Sequence, residues 1–546
     1  MIRIASLQLA LDHDENVLLR AIAVRLGIEP CKIVGWSVFK RSRDARNRNV
    51  VRWVYTVDVE TDCEQELLAR LAADADVRQT PDMTYRPPVV DSIVSGRALR
   101  PVVIGMGPSG LFAGLLLAQL GLCPLILERG KKVRERTVDT FGFWRGKELD
   151  PESNVQFGEG GAGTFSDGKL YSQVRDPQHR GRKVLTEFVE AGARPDILFE
   201  SRPHVGSFRL VKIVENLRAK IESLGGEIRF RARVDRLLID EGTVRGLLID
   251  GGEEIRVDHV VLAVGHSARD TFEMLQACGV YIEPKPFSIG LRIEHPQQMI
   301  DACRYGRSAG HPLLGAADYR LTHHCTGPAL AGRSVYSFCM CPGGTVVAAA
   351  SELGRVVTNG MSQHDRAERN ANSGIVVGVT PERDFPGDAL AGVSFQRRYE
   401  TLAFEAGGET YEAPVQRLGD FLAQRPSSTL GAVSPSYTPG VTLGDLNRCL
   451  PEFASAAIRE AIPIFDRKIR GFAREDAVLT GVETRTSSPI RIRRNEDGQS
   501  ISTCGLFPAG EGAGYAGGIL SAGIDGIRAA EAVALAIRAR SERRRR

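Results

Sequence analysis

The chain has 546 residues, room for about three domains, and its 71 Lys and Arg against 67 Asp and Glu leave a net charge of +4, too small by itself to argue for nucleic acid. No apolar run reaches the ~20 residues of a membrane span, and the opening MIRIASLQLALDHDEN has no basic segment followed by an apolar one, so no signal peptide is expected. Ten cysteines without regular spacing do not make a disulfide framework, and a reducing cytoplasm is the expected location.

Residues 1–90 read as a small α+β sandwich: a strand over 2–11, a helix over 16–26, strands over 33–41 and 50–60, and a helix over 63–73. Lys40, Arg41, Arg43, Arg46, Arg48 and Arg52 lie around the turn between the middle strands. They read as a solvated hairpin tip or as a docking surface for an anionic partner such as RNA. Trp36, Phe39, Trp53 and Tyr55 fall at strand spacing and are expected in the core. Pro81, Pro87 and Pro88 mark a linker.

The stretch PVVIGMGPSGLFAGLLLAQLGLCPLILER follows, from Pro101 to Arg129. Val102 to Ile104 reads as a buried parallel strand, Leu111 to Leu120 as a helix, and Leu122 to Leu127 as a second strand. Gly105, Gly107 and Gly110 form G-x-G-x-x-G in that strand–turn–helix context, the dinucleotide-binding fingerprint. Gly105 allows the tight turn, Gly107 lets backbone N–H groups approach a pyrophosphate, and Gly110 lets helix pack on strand. Pro108 and Ser109 open the helix, whose N-terminus suits phosphate. Glu128 ends the second strand, where a carboxylate accepts from ribose hydroxyls and disfavours the 2′-phosphate of NADP.

Asn154 to Ser172, NVQFGEGGAGTFSDGKLYS, holds five glycines and reads as a loop whose backbone approaches a ligand closely. A helix over 208–224, a strand over 227–234, a meander over 235–256 and a buried strand over 257–264 follow, the last running into Gly265 and His266. This order is the one carried by FAD domains of the glutathione-reductase type, which implies Val234 against the adenine and Gly265 over the phosphates. Residues 281–474 read as an inserted mixed sheet, with strands over 287–294, 334–340, 346–350 and 375–379 and helices over 401–424 and 443–472. A substrate pocket is expected there. Residues 475–540 return to the cofactor: a strand over 478–484, then LFPAGEGAGYAGG, then a helix over 519–536. A strand ending in Ala509-Gly510-Glu511 before a glycine-rich helix start resembles a second FAD motif, and NAD domains need no such closing element about 400 residues after the first. FAD is therefore expected over NAD. The final residues, 541–546, read as a basic disordered tail.

FGEGGAGTFSDGKL (157–170), KPFSIGLRIEHP (285–296), FCMCPGG (338–344), NGMSQHDRAERNANS (359–373), ETRTSSPIRI (483–492) and FPAGEGAGYAGGILSAGIDGIRAAE (507–531) together resemble a family of bacterial uncharacterised FAD-dependent dehydrogenases, over nearly the whole chain. The resemblance implies an α/β fold: a glutathione-reductase-type FAD-binding Rossmann domain, an inserted mixed β-sheet and helical substrate domain, and the small N-terminal α+β sandwich. It implies that Gly105, Gly107, Ser109, Gly110, Glu128 and Arg129 hold the ADP half of FAD. Gly163, Thr164, Ser166, Gly510, Glu511, Tyr515, Gly518 and Ile519 are implied along the flavin half.

A disulfide reductase with two dinucleotide sites is disfavoured, because Cys123 stands alone and no second G-x-G-x-x-G appears. A small substrate, carboxylated in one reading, then meets the flavin directly, with NADH or NADPH at most a transient donor. The candidate catalytic residues are Cys339, Cys341 and His266. On a strand, C-x-C places both thiols on one face, as a redox pair, half a metal site, a thiol nucleophile or two small buried hydrophobes. His323-His324-Cys325 reads as a loop cluster, with no second Cys or His pair at zinc spacing, so no metal is expected. Arg485 and Arg491 read either as carboxylate binders or as internal ion pairs. The competing function is an RNA-modifying flavoprotein that presents substrate through the N-terminal domain.

Overall fold

The computed structural model describes residues 1–47, 50–89 and 99–545. Its N-terminal unit is a four-stranded antiparallel sheet, order β2-β3-β1-β4, formed by β1 (Ile2–Ala10), β2 (Ile33–Asp44), β3 (Arg52–Thr61) and β4 (Val77–Gln79). Helix α1 (Glu15–Leu26) is capped at its start by the Asp14 carboxylate, which accepts from Val17 N at 2.9 Å. Its end is closed by Gly27 in the left-handed region. Ile2, Ile4, Ile22, Val57 and Val59 are fully buried between the sheet and the helices.

The β2–β3 hairpin docks on the body of the protein. Arg41 N donates to Phe199 O at 2.7 Å, Ser201 N donates to Arg41 O at 2.9 Å, and the Arg41 guanidinium pairs with the Glu200 carboxylate. Arg43 reaches the Tyr305 hydroxyl at 3.3 Å, and Arg46 folds back on Asp44. The basic cluster is therefore spent in part inside the molecule; Arg48 lies outside the described residues.

The central unit carries β5 (Val102–Ile104), β6 (Leu125–Glu128), β7 (Glu227–Phe230), β11 (Val260–Leu262) and β21 (Leu506–Pro508) as a parallel sheet, order β21-β11-β5-β6-β7. Between β7 and β11 runs an antiparallel meander, β8 (Val234–Asp240), β9 (Thr243–Ile249) and β10 (Glu253–Arg256). Val102 and Val260 are buried on one face by the meander and the helix Arg269–Ala277, and Val103, Ile126 and Val261 on the other face by helices. One of them, α2 (Pro108–Gln119), follows the first glycine motif.

The third unit is a seven-stranded sheet, order β13-β14-β17-β12-β20-β18-β19. Its strands are β12 (Phe287–Pro296), β13 (Thr322–His324), β14 (Ser334–Cys341), β17 (Asn370–Val379), β18 (Ala413–Arg417), β19 (Val441–Leu443) and β20 (Val478–Glu483). A separate hairpin pairs β15 (Gly344–Ala348) with β16 (Thr358–Ser362). Several expectations need correction here. The expected helix over 401–424 ends at Ala406: Gly407 and Gly408 break it, and Ala413–Arg417 becomes a buried strand. The expected helix over 443–472 begins at Glu452, after Pro451. Strand 478–484, expected with the cofactor sheet, pairs instead with β12 and β18, so the chain returns to the parallel sheet only at Leu506. The expected disordered tail is the end of the helix Ile519–Arg545, with residue 546 outside the described residues.

The Arg41–Glu200 contact is half-buried, which sets its size. A double-mutant cycle with Arg41→Ala and Glu200→Ala, read by urea denaturation, is expected to give a coupling of about 0.5–1 kcal/mol. A coupling of zero would show that the backbone bonds alone hold the hairpin.

Candidate cofactor and active site

A cavity of about 730 Å³ opens where the carboxyl ends of β5, β6 and β11 meet the 154–172 loop and the seven-stranded sheet. One half is built from the first glycine motif. Gly105 turns at φ +93°, and a side chain there would stand 2.6 Å from Ala263 O. Gly107 faces Gly161 across the cavity wall; a Cβ on Gly161 would lie 2.8 Å from Gly107 Cα. Pro108 and Ser109 line the wall at the start of α2, and Ser109 Oγ is buried with no hydrogen-bond partner. Gly110 does not reach the cavity; it lets α2 pack against the turn, since a Cβ there would fall 1.9 Å from Gly105 O.

Glu128 lines the cavity, and its carboxylate accepts from the amides of Met106 (2.8 Å), Gly130 (2.8 Å) and Gly158 (3.0 Å). Three of its roughly four acceptor positions are thus used by backbone, leaving about one for a ribose hydroxyl. Arg129 also lines the wall, but its guanidinium is committed to Glu152 and Asp270 and lies over the Phe157 ring at 4.2 Å. Val234 and Gly265 complete this end.

The other half carries Gly163, Ser166, Gly510, Glu511, Gly518 and Ile519. Two of the expected flavin-side residues turn away. Thr164 is buried behind the loop, its hydroxyl without a partner. Tyr515 stacks on the Arg494 guanidinium at 3.8 Å, and its hydroxyl accepts from Arg494 N at 3.1 Å. Glu511 faces the cavity, and burial pushes its carboxyl up to about 8, so it is mostly protonated at neutral pH. The glycine loop owes its shape to Arg136, which nothing in the sequence pattern singles out. This fully buried guanidinium donates to the carbonyls of Asn154 (2.7 Å), Val155 (2.7 Å) and Glu159 (2.8 Å), and burial lowers it to about 10.

His266 lines the cavity too, and its protonation follows from its neighbours. Ser267 Oγ receives a hydrogen bond from Arg485 at 3.0 Å and donates to Gln156 Oε1 at 3.1 Å, so His266 Nδ1, 2.8 Å away, must be the donor. Burial with the Arg485 and Arg269 charges pushes the ring down to about 3, so it is neutral, with its proton on Nδ1 and Nε2 as its acceptor. Arg485 is an internal ion pair: it and Arg269 share the fully buried Glu400. Arg491 Nε is buried without a partner.

Cys339 lines the cavity, whereas Cys341 is fully buried behind it. A β-bulge between Phe338 and Cys341 breaks the simple alternation, with Cys339 at φ +42°, and Cys341 Sγ donates to Cys339 O at 3.3 Å. Lys169 Nζ donates to Met340 O between them, and Arg292 Nη1 donates to Cys339 O at 3.2 Å. Neither cation was legible as part of the site. Away from the cavity, His323 Nε2, Cys325 Sγ and a Glu460 carboxylate oxygen lie within 4.8 Å of one another. There Glu460 accepts from His323 at 2.9 Å and Thr326 N at 2.8 Å, so His323-His324-Cys325, expected as an isolated loop cluster, is instead the end of strand β13 and the residue after it, tied to the helix Glu452–Lys468.

Two glycine-rich strand-to-helix turns on one cavity beside a parallel sheet define a Rossmann-type dinucleotide-binding protein. Sequence comparison makes the class specific. Residues 286–486 match the family model "FAD-dependent protein, C-terminal domain-like", and residues 1–60 match a domain of unknown function. An uncharacterized protein of Clostridium beijerinckii is 48% identical over 535 residues, covering 97% of this chain and 98% of its own. The chain belongs to this family of uncharacterised FAD-dependent proteins, and FAD is its cofactor.

Among solved structures, a flavin-dependent brominase aligns at 14% identity over 80% of both chains, with a TM-score of 0.36. A geranylgeranyl bacteriochlorophyll reductase-like protein of Thermoplasma acidophilum aligns at 12% over 81% of this chain and 79% of its own, TM-score 0.35. Likenesses this distant leave the assignment to the sequence relative. Among the described residues no helix is long and apolar enough to cross a membrane.

His204, His266 and His295 are all held neutral by burial, at about 4, about 3 and about 4. Unfolded, each takes up a proton near ~6.5. Below that pH the unfolded chain binds more protons, so stability falls as pH falls, by ~1.4 kcal/mol per pH unit for each histidine. Urea denaturation between pH ~6.5 and ~5 is expected to show this slope, and His295→Gln to remove one proton from it. An unchanged slope in the variant would refute a neutral His295.

Proposed function

We propose that the chain is an FAD-dependent oxidoreductase that turns over a small substrate at the flavin, within the 730 Å³ cavity. The observation that carries this reading is the meeting of the two glycine motifs. A Cβ on Gly510 would stand 2.8 Å from Ser109 Cβ, and one on Gly512 would stand 2.4 Å from Gly265 O. Backbone that close on three sides of a cavity is what a dinucleotide requires. The residues fit FAD. Ser109 Oγ and the free amides at the start of α2 suit the pyrophosphate, and Glu128 keeps one acceptor for a ribose hydroxyl. The five-stranded parallel sheet with its three-stranded meander supports the glutathione-reductase-type arrangement. Bound there, FAD supplies two-electron redox chemistry.

The protein's share is orientation and charge. Glu511, mostly protonated, donates a hydrogen bond toward the ribityl or ribose hydroxyls without adding negative charge. The helix from Ile519 presents its N-terminus to the same half of the cavity, where it stabilises negative charge on a reduced ring. Neutral His266 offers an Nε2 acceptor in the wall, suited to take a proton from a substrate or pass one to it. Substrate enters beside Tyr171, Arg202 and Arg320, where exposed Arg320 gives a carboxylate a cation at the entrance. Arg485, consumed by Glu400, is not that cation.

The purified protein is expected to show flavin bands near ~450 nm. Fast anaerobic bleaching by NADH or NADPH identifies a transient hydride donor; bands that stay unbleached assign electron supply to the substrate itself. Gly161→Val, which places a side chain against Gly107 at a left-handed backbone position, is expected to lower flavin content at least tenfold while circular dichroism stays native. Full flavin retention in that variant would overturn the placement.

A further inference from the structure

Resting on that reading, we propose that Cys339 and Cys341 are a redox-active dithiol that exchanges two electrons with the flavin. The Cys341 thiol turns back onto the Cys339 carbonyl at 3.3 Å, and of the two only Cys339 lines the cavity wall, which it shares with Glu511 and Gly518. Cys341 is fully buried, so the thiol it can meet is that of Cys339, two positions away, rather than any incoming molecule. One thiol is thus presented to the cofactor space and the other is held in reserve behind it. The bulge at Cys339 and its left-handed backbone are the kind of local departure from strand geometry that re-aims a side chain.

The charges around the pair point the same way. Lys169, Arg292 and Arg366 bring three cations into this part of the interior, and Asp167 and Glu483 bring two carboxylates. Arg366 is paired with Asp167, and Arg292 with Glu483 at 2.9 Å. Lys169 is left 3.8 Å from the already committed Asp167, its hydrogen bond going to the carbonyl between the two cysteines. Among the described residues, Glu511 is mostly protonated and Asp318, in the same cavity wall, pairs with Arg202 at 2.7 Å, so neither cancels the excess. One buried positive charge is therefore unbalanced, and a thiolate at Cys339 balances it. In keeping with this, the neighbouring Cys341 side chain and the Lys169 and Arg292 charges lower the Cys339 thiol to about 6, while Cys341 is raised and keeps its proton.

The step balances. Cys339 thiolate and Cys341 thiol form one S–S bond and release two electrons and the Cys341 proton. The electrons and the proton pass to oxidised FAD, which becomes its two-electron-reduced form. A disulfide closed over so short a span belongs to the labile rather than the structural kind, so the reverse step returns the dithiol.

The test is an anaerobic dithionite titration of the air-oxidised holoprotein, with differential alkylation and peptide mapping of the same samples. Wild type is expected to take up four electrons, with a Cys339–Cys341 disulfide that disappears on reduction. Cys341→Ser is expected to take up two electrons and to keep its flavin spectrum. Uptake of only two electrons by wild type, with both cysteines alkylated while the flavin is oxidised, overturns the dithiol and leaves the flavin reading intact. Absence of flavin bands overturns both. Should Cys341→Ser not fold, the wild-type electron count and peptide map decide alone.

Discussion

The structure depends on how closely bare backbone can approach bare backbone around one point. Ser109 begins the first motif's helix, and the C-terminal helix crosses it where a Cβ on Gly526 would sit 2.1 Å from Ser109 O. Gly510 meets the same serine from the other side. Residues 109, 510 and 526 thus share one spot, although the chain runs through the whole seven-stranded unit between the first and the last two. Any side chain at these glycines would push the helices apart and open the floor of the cavity. The packing of the two helices and the binding of a dinucleotide are the same constraint seen from two sides.

That floor needs walls that cannot be built from glycine. Flexible loop residues carry a large conformational entropy, which binding alone would have to overcome. The chain avoids this with buried cations aimed at carbonyls and carboxylates. Arg136 gathers the loop's carbonyls into one guanidinium. Arg269 and Arg485, from the cofactor unit and the end of the inserted unit, close on Glu400, itself on the helix Ala391–Ala406. A buried network of this kind gives little net stability against an apolar equivalent, but removing one member strands the others uncompensated. Its use here is geometric: it fixes the seven-stranded sheet, and with it Cys339, against the cofactor sheet.

The parts of this arrangement that follow from local chemistry were legible in the sequence. The first motif, with apolar strand, spaced glycines, helix and terminal acid, carries its own context, and the N-terminal strand and helix pattern follows from alternation and capping. Strand 413–417 was not legible, because the run before it continues a helical pattern and only Gly407-Gly408 marks the break. Nor was the allegiance of 478–483: a buried strand reads the same whichever sheet it joins, and its partners lie about 60 and 190 residues away. Tyr515 and Thr164 sit inside family motifs yet face away from the cavity, because a motif constrains backbone course before it constrains where each side chain points.

The hardest thing to read from a sequence is which charges remain uncancelled. Arg485 and Lys169 each lie in a glycine- or serine-rich stretch near the cofactor, and each looks equally able to meet an anion. Folding separates them through pairs distant in sequence, 85 residues apart for Arg485 and Glu400 and 199 for Asp167 and Arg366. Glu400 takes Arg485 out of play, whereas the acid beside Lys169 is already taken by Arg366. The chemistry of the cavity is therefore set less by the groups that line it than by the bookkeeping of the pairs behind it. Where the charges around the two cysteines are paired except for that of Lys169, an anion is favoured beside it, and Cys339 is the thiol there that lines the cavity.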